Sequence, residues 1–219
     1  MARHRVGWWL CSEVLLAALT FPSALEARPD ASAETPEETS WDFRVSANAY
    51  FFENRSDYLQ PTVAVDHGGL HLEGRYNYEA LQTGSLWVGW TFEWGEKVKL
   101  TLTPMLGGVF GDLNGVAPGL ELDLTWGPLE FYSEMEVVLD VADISESYFY
   151  SWSELSGRPL AWLRGGIALQ RTRVVASPRQ VQWGPLVGVS VWKLVASGYW
   201  FNPGQSDAQY WVATIGINF

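Results

Sequence analysis

From Trp41 to Phe219 apolar and polar side chains alternate at every second residue, the period of a β-strand with one apolar and one polar face. Phe43, Val45, Ala47, Ala49 and Phe51 alternate with Arg44, Ser46, Asn48 and Tyr50. Leu120, Leu122, Leu124 and Trp126 alternate with Glu121, Asp123 and Thr125, and Leu129, Phe131, Met135, Val137 and Leu139 with Glu130, Tyr132, Glu134 and Glu136. Continued along the chain, the pattern predicts about twelve strands, within about ten to fourteen. They fall near 43–54, 59–67, 69–79, 85–95, 97–109, 117–126, 129–140, 148–155, 160–172, 180–191, 194–201 and 208–219. About ten residues is the length a tilted strand needs to cross a bilayer. The alternation also explains a composition that is 47% hydrophobic and 18% charged yet has a mean hydropathy of −0.03. One face of each strand cancels the other in the average.

The connections alternate too. Those at Asp66-His67-Gly68-Gly69, Gly95-Glu96, Gly127-Pro128 and Trp192-Lys193 are very short, and the one around Gly157-Arg158-Pro159 is short. The others are generally longer and more polar. Short turns on one rim and longer loops on the other characterise an outer-membrane barrel, with the short turns periplasmic. Apolar-face aromatics near strand ends, Phe51, Tyr78, Trp94, Trp126, Trp211 and Phe219, fit the girdles of a membrane interface. Alternation alone also suits a soluble exported barrel with its apolar face inside. Rim asymmetry and girdle aromatics favour a closed, antiparallel, up-and-down transmembrane β-barrel, all-β in class.

The segment before the strands reads as an address. Arg3 and Arg5 precede the mainly apolar stretch Trp8 to Phe21, and Pro22-Ser23-Ala24-Leu25-Glu26-Ala27 supplies small residues for cleavage after Ala27. About fourteen apolar residues interrupted by Glu13 are too few for a membrane-spanning helix. The expected organisation is a signal peptide at 1–27, a flexible acidic periplasmic leader at 28–41 and an outer-membrane barrel at 42–219.

In the last strand, from Gln209 to Phe219, apolar residues recur at every second position back from the terminal Phe. This resembles the C-terminal strand by which the barrel-assembly machinery recognises Gram-negative outer-membrane proteins. Tyr76-Asn77-Tyr78-Glu79, Thr83-Gly84-Ser85-Leu86-Trp87-Val88-Gly89, Gly107-Gly108-Val109-Phe110-Gly111 and Phe201-Asn202-Pro203 add to the likeness. From about Val45 onward the chain resembles a family of small, largely uncharacterised outer-membrane barrel proteins of Gram-negative bacteria. The resemblance implies location and fold, with outer-membrane lipids, lipopolysaccharide and the assembly machinery as partners. It brings no catalytic motif.

With apolar residues toward lipid, the polar ones line the interior. The expected lining includes Arg44, Glu73, Arg75, Glu93, Lys99, Glu121, Asp123, Glu134, Glu136 and Arg164. The Gly127-Pro128 turn pairs Trp126 with Leu129 and therefore Glu121 with Glu134. Facing carboxylates repel, so they call for a shared proton, a cation or an arginine. Arg75 and Arg164 lie at comparable depth along their strands. The Gly95-Glu96 turn is expected to pair Glu93 with Lys99. Bulky Tyr50, Trp87, Met105 and Tyr132 share the polar face and favour a narrow or filled interior.

Net charge −11 and a pI near 4.6 exclude nucleic acid as a partner. The single cysteine, Cys11, lies in the signal segment, which removes thiol chemistry from the mature chain. Of three histidines, His4 is in the signal, and His67 and His71 flank a short turn, away from the outer-leaflet side where barrel enzymes work. Asp112-Leu113-Asn114-Gly115 reads as a turn and Asp140, Asp143 and Glu146 as a solvated acidic loop. No cofactor or metal site is expected. The expectation is a non-enzymatic outer-membrane barrel with a polar, acid-leaning, narrow or occluded lumen and a structural or partner-binding role. The alternative is a narrow channel for small neutral or cationic solutes.

Overall fold

The computed structural model describes residues 40–175 and 179–219. The signal segment and leader, up to residue 39, lie outside the described residues. The strands are β1 (Trp41–Phe52), β2 (Tyr58–His67), β3 (Leu70–Tyr76), β4 (Thr83–Trp90), β5 (Phe92–Trp94), β6 (Val98–Gly111), β7 (Gly115–Trp126), β8 (Leu129–Asp140), β9 (Tyr148–Leu160), β10 (Leu163–Val174), β11 (Gln180–Val191), β12 (Leu194–Phe201) and β13 (Tyr210–Asn218). A 3-10 turn, Ile144–Glu146, interrupts the β8–β9 loop. β4 and β5 are two parts of one stave, parted at Thr91, and both pair with β6. Every pairing is antiparallel, and β1 pairs with β13 from Arg44↔Asn218 to Phe52↔Tyr210. The sheet thus closes into a barrel of twelve staves, and closure removes the free edges that an open sheet would present.

The connections separate by rim. The turns at 68–69, 95–97, 127–128, 161–162 and 192–193 share one rim with Trp41 and Phe219; the longer connections occupy the other. Three sequence expectations need correction. The leader is expected to run to residue 41, but Trp41 already pairs with His67 and opens β1. The expected turn at Gly157-Arg158-Pro159 is not a turn: these residues belong to β9, and Leu160 pairs with Leu163 around Ala161-Trp162. The register shifts by one residue there, a bulge that accommodates a proline inside a strand. Glu93 does not face Lys99. Trp94 pairs with Leu100 across a wider turn that starts at Gly95 with φ +88°, so Glu93 meets Thr101 and Lys99 meets Thr125.

The two faces are distributed as a bilayer requires and opposite to a soluble barrel. Leu86, Val88, Leu106, Ile167 and Ile215 stand exposed on the outer face, mid-stave, where about half of each side chain or more is uncovered. So many uncovered apolar side chains on one face suit a bilayer or another apolar partner rather than bulk water. Exposed aromatics border it: Trp41, Trp94, Trp126, Trp162 and Phe219 toward the short-turn rim, Phe51, Phe110, Trp183 and Trp211 toward the other. The inner face buries Tyr50, Trp87, Met105, Glu134, Glu136 and Arg75.

Candidate functional site

The lumen is built differently at its long-loop end, its middle and its short-turn rim. At the long-loop end, Tyr50 and Phe52 close β1, Tyr58 opens β2, Phe201 closes β12 and Tyr210 opens β13. Their rings stack, Tyr50 on Tyr58 at 4.6 Å and Phe201 on Tyr210 at 4.9 Å between centroids. Tyr199 and Trp152 continue the cluster, and Phe201 is fully buried. The stacked rings pack against one another on this part of the inner wall as rings do in a protein core.

The middle is built around Arg75 on β3. Its Nη1 lies 2.6 Å from Glu134 Oε1 and 3.3 Å from Glu136 Oε2; its Nη2 lies 3.0 Å from Glu73 Oε2 and 4.0 Å from Glu121 Oε1. The Glu121–Glu134 pair expected from the Gly127-Pro128 turn is present in the register, along with Asp123↔Tyr132 and Thr125↔Glu130. Arg75 reaches the two carboxylates from another part of the wall, and Arg164 does not. Arg164 instead donates from Nη1 to Glu154 Oε2 at 2.9 Å and from Nη2 to Ser197 Oγ at 2.9 Å. Tyr199 and Trp152 also donate to Glu154 Oε1, at 2.7 and 2.8 Å, so both carboxylate oxygens of that pair have partners.

Tyr78 is the clearest correction among the expected interface aromatics. Its hydroxyl donates to Glu134 Oε2 at 2.7 Å, and the Arg75 guanidinium lies 4.5 Å from its ring centre. β3 stops at Tyr76, and Asn77 adopts φ +59°, which breaks the alternation and turns the next side chain inward. Tyr76 takes the outer position instead. Of the other expected girdle residues, Phe51, Trp94, Trp126, Trp211 and Phe219 are exposed at strand ends.

Trp87 forms the far wall of the Arg75 site. Its ring lies 4.6 Å from the guanidinium, and its Nε1–H donates to Ser85 Oγ at 2.9 Å and to Glu79 Oε1 at 3.2 Å. A Cβ at Gly107 would stand 2.5 Å from that ring, so only glycine leaves room for the indole.

Toward the short-turn rim the lumen opens. A cavity of about 190 Å³ is bounded by Arg44, Ser46, Glu73, Glu121, Tyr132 and Glu134, among others. Arg44 is half exposed at its mouth, 3.7 Å from Asp66. Glu93, Lys99 and Asp123 are exposed near the same rim, and Glu130 pairs with Arg158. Glu79, Glu154 and Arg158 were not among the expected lining residues. For Glu154 the signal was available, since it shares parity with Trp152 and Ser156 on β9. The acidic loop residues serve the backbone: Asp140 Oδ1 accepts from Asp143 N at 3.0 Å, and Asp143 Oδ1 from Ser145 N at 2.9 Å.

No protein-family model matches this chain, and no curated protein matches it. Solved structures do. A structure described as a KdgM porin superposes with a TM-score of 0.56 at 8% identity, covering 80% of this chain and 98% of that one. Pseudomonas aeruginosa OccK5 (OpdH) gives a TM-score of 0.43 at 9% identity, covering 82% of this chain and 66% of that one. At such identities the likeness to the KdgM porin is one of fold, and this chain is a closed, porin-like barrel of twelve staves.

Proposed function

We propose that the protein spans the outer membrane of a Gram-negative cell, with its short-turn rim in the periplasm, and serves as a narrow, non-catalytic channel for small cations or neutral solutes. The observation that supports this reading is the charge of the lumen at mid-depth, where Glu73, Glu121, Glu134 and Glu136 surround the guanidinium of Arg75. Buried ions cost more in desolvation than a well-packed apolar filling, so stability gives no reason for an acidic surplus. A passage for cations does, because a ring of carboxylates lowers the barrier for positive charge. On this reading the aromatic cluster at the long-loop end narrows the passage, and conduction requires those rings to move aside or leave a path beside them.

That same cluster favours a second reading, a permanently occluded barrel with a structural or partner-binding role. Single-channel recording in planar bilayers separates the two. The channel reading expects discrete steps with a reversal potential favouring cations, and a several-fold lower cation preference in Glu121→Gln/Glu134→Gln. Heat-modifiable, folded protein that gives no steps would leave the occluded barrel. Steps with unchanged selectivity in the double variant would remove these carboxylates from the pathway.

A further inference from the structure

His71 is buried on the inner face of β3, opposite Asp66 of β2. Its Nδ1 lies 2.7 Å from Asp66 Oδ1. A carboxylate accepts at that distance, so Nδ1 carries a proton, and in the neutral ring Nε2 presents a lone pair. The atom that Nε2 faces is another acceptor, Glu73 Oε2, at 3.4 Å. Glu121 brings a third: one ligand atom from each of His71, Glu73 and Glu121 lies within 4.8 Å of the others. The Arg75 guanidinium meets Glu73 Oε2 from one side at 3.0 Å, and on the side of His71 the converging lone pairs call for a proton or a metal cation between them.

Two further observations point the same way. The carboxyls of Glu73, Glu121, Glu134 and Glu136 outnumber the one guanidinium they share, an acidic surplus that protons or a bound cation must offset. The cavity that opens toward the short-turn rim is bounded by Glu73 and Glu121, so an ion has a route to the cluster from that side.

We infer that His71 Nε2, Glu73 and Glu121 bind a divalent transition-metal ion of the zinc type. One imidazole and two carboxylates form a three-ligand set that leaves a fourth position for water. Calcium and magnesium prefer oxygen alone, whereas imidazole selects for zinc and its neighbours. Asp66 completes the arrangement as the hydrogen-bonded carboxylate that fixes a metal-binding histidine. Bonds of about 2.1 Å in a tetrahedron place ligand atoms about 3.4 Å apart, within reach of side-chain rotation from the spacing described. This site does not depend on conduction through the lumen.

The test is equilibrium dialysis of refolded, chelator-treated protein in detergent against zinc at neutral pH, with bound metal measured by elemental analysis and folding checked by the gel shift on boiling. One zinc per folded barrel is expected, retained against excess calcium. His71→Gln and Glu121→Gln should each bind at least tenfold more weakly, and Asp66→Asn about tenfold more weakly. Should His71→Gln fail to fold, Glu121→Gln carries the comparison. The proposal is overturned if the wild type retains no zinc, which leaves a proton on His71. It is overturned equally if both variants bind as the wild type does, or if calcium displaces the ion.

Discussion

Arg75 is the residue on which the lumen depends. Its side chain is 1% exposed, and it holds carboxylates contributed by three strands, β3, β7 and β8. Removing a partner from a buried ion network costs about 3–5 kcal/mol, because the remaining charges stay buried and face one another. Arg75→Met is therefore expected to lower unfolding stability by about that amount in a urea titration of detergent-folded protein. Arg75→Lys should fall between, since an ammonium keeps the charge but loses the fork that meets Glu134 and Glu73 from separate nitrogens. Neutralising the acids together with the arginine, in Arg75→Met/Glu134→Gln/Glu136→Gln, should recover part of the loss; no recovery would show that the arginine acts through packing on Tyr78 and Trp87. At this scale the sequence is partly legible. A two-residue turn at Gly127-Pro128 transmits register along β7 and β8, which makes the Glu121–Glu134 pair readable. Which arginine meets it depends on the shape of the closed barrel, and nothing local distinguishes Arg75 from Arg164. Tyr78 is unreadable for another reason: a positive φ at Asn77 resets the parity on which the alternation rests.

Elements are legible to the extent that their turns are tight. Where the turn is wide, as after Trp94, or where a bulge is present, as near Pro159, the register differs from a simple count and side-chain pairs change with it. A subtler matching between elements joins β4 to β6. Trp87 lies over Gly107, whereas the next residue, Gly108, points outward, and a Cβ there would meet nothing within 4 Å. Two adjacent glycines on one strand therefore have opposite requirements. Gly107→Val should destabilise by about 1–3 kcal/mol through overpacking, and Gly108→Val should be neutral or slightly stabilising, as a β-branched residue on an exposed strand face. The urea midpoints of the two variants check this. The double variant Gly107→Val/Trp87→Ala separates steric conflict from backbone strain: relative to Trp87→Ala alone, the valine should then cost little.

For the whole molecule, the alternation that hides an apolar belt behind a mean hydropathy near zero does not say which face is outside. Only closure of the barrel decides that, because β1 must meet β13 with one face turned in, and the inner volume must hold whichever side chains fall there. The closed barrel encloses Arg75, Glu134 and Glu136 and leaves Val88, Leu106 and Ile215 uncovered. The sign of a single substitution tests the consequence. Val88 sits near the middle of its stave, between Leu72 and Leu106 on the outer face. In a bilayer, Val88→Arg should cost about 2–4 kcal/mol, and Trp126→Arg, at the short-turn rim, should carry a charge penalty of only about 0–1 kcal/mol beyond the lost ring. In water, an arginine replacing an exposed valine costs almost nothing and improves solubility. Unfolding in phospholipid vesicles gives the answer directly: depth-dependent losses place the belt in the hydrocarbon. Equal and negligible effects at both positions would mean that the apolar face meets a protein partner or water instead, and the channel reading would fall with it.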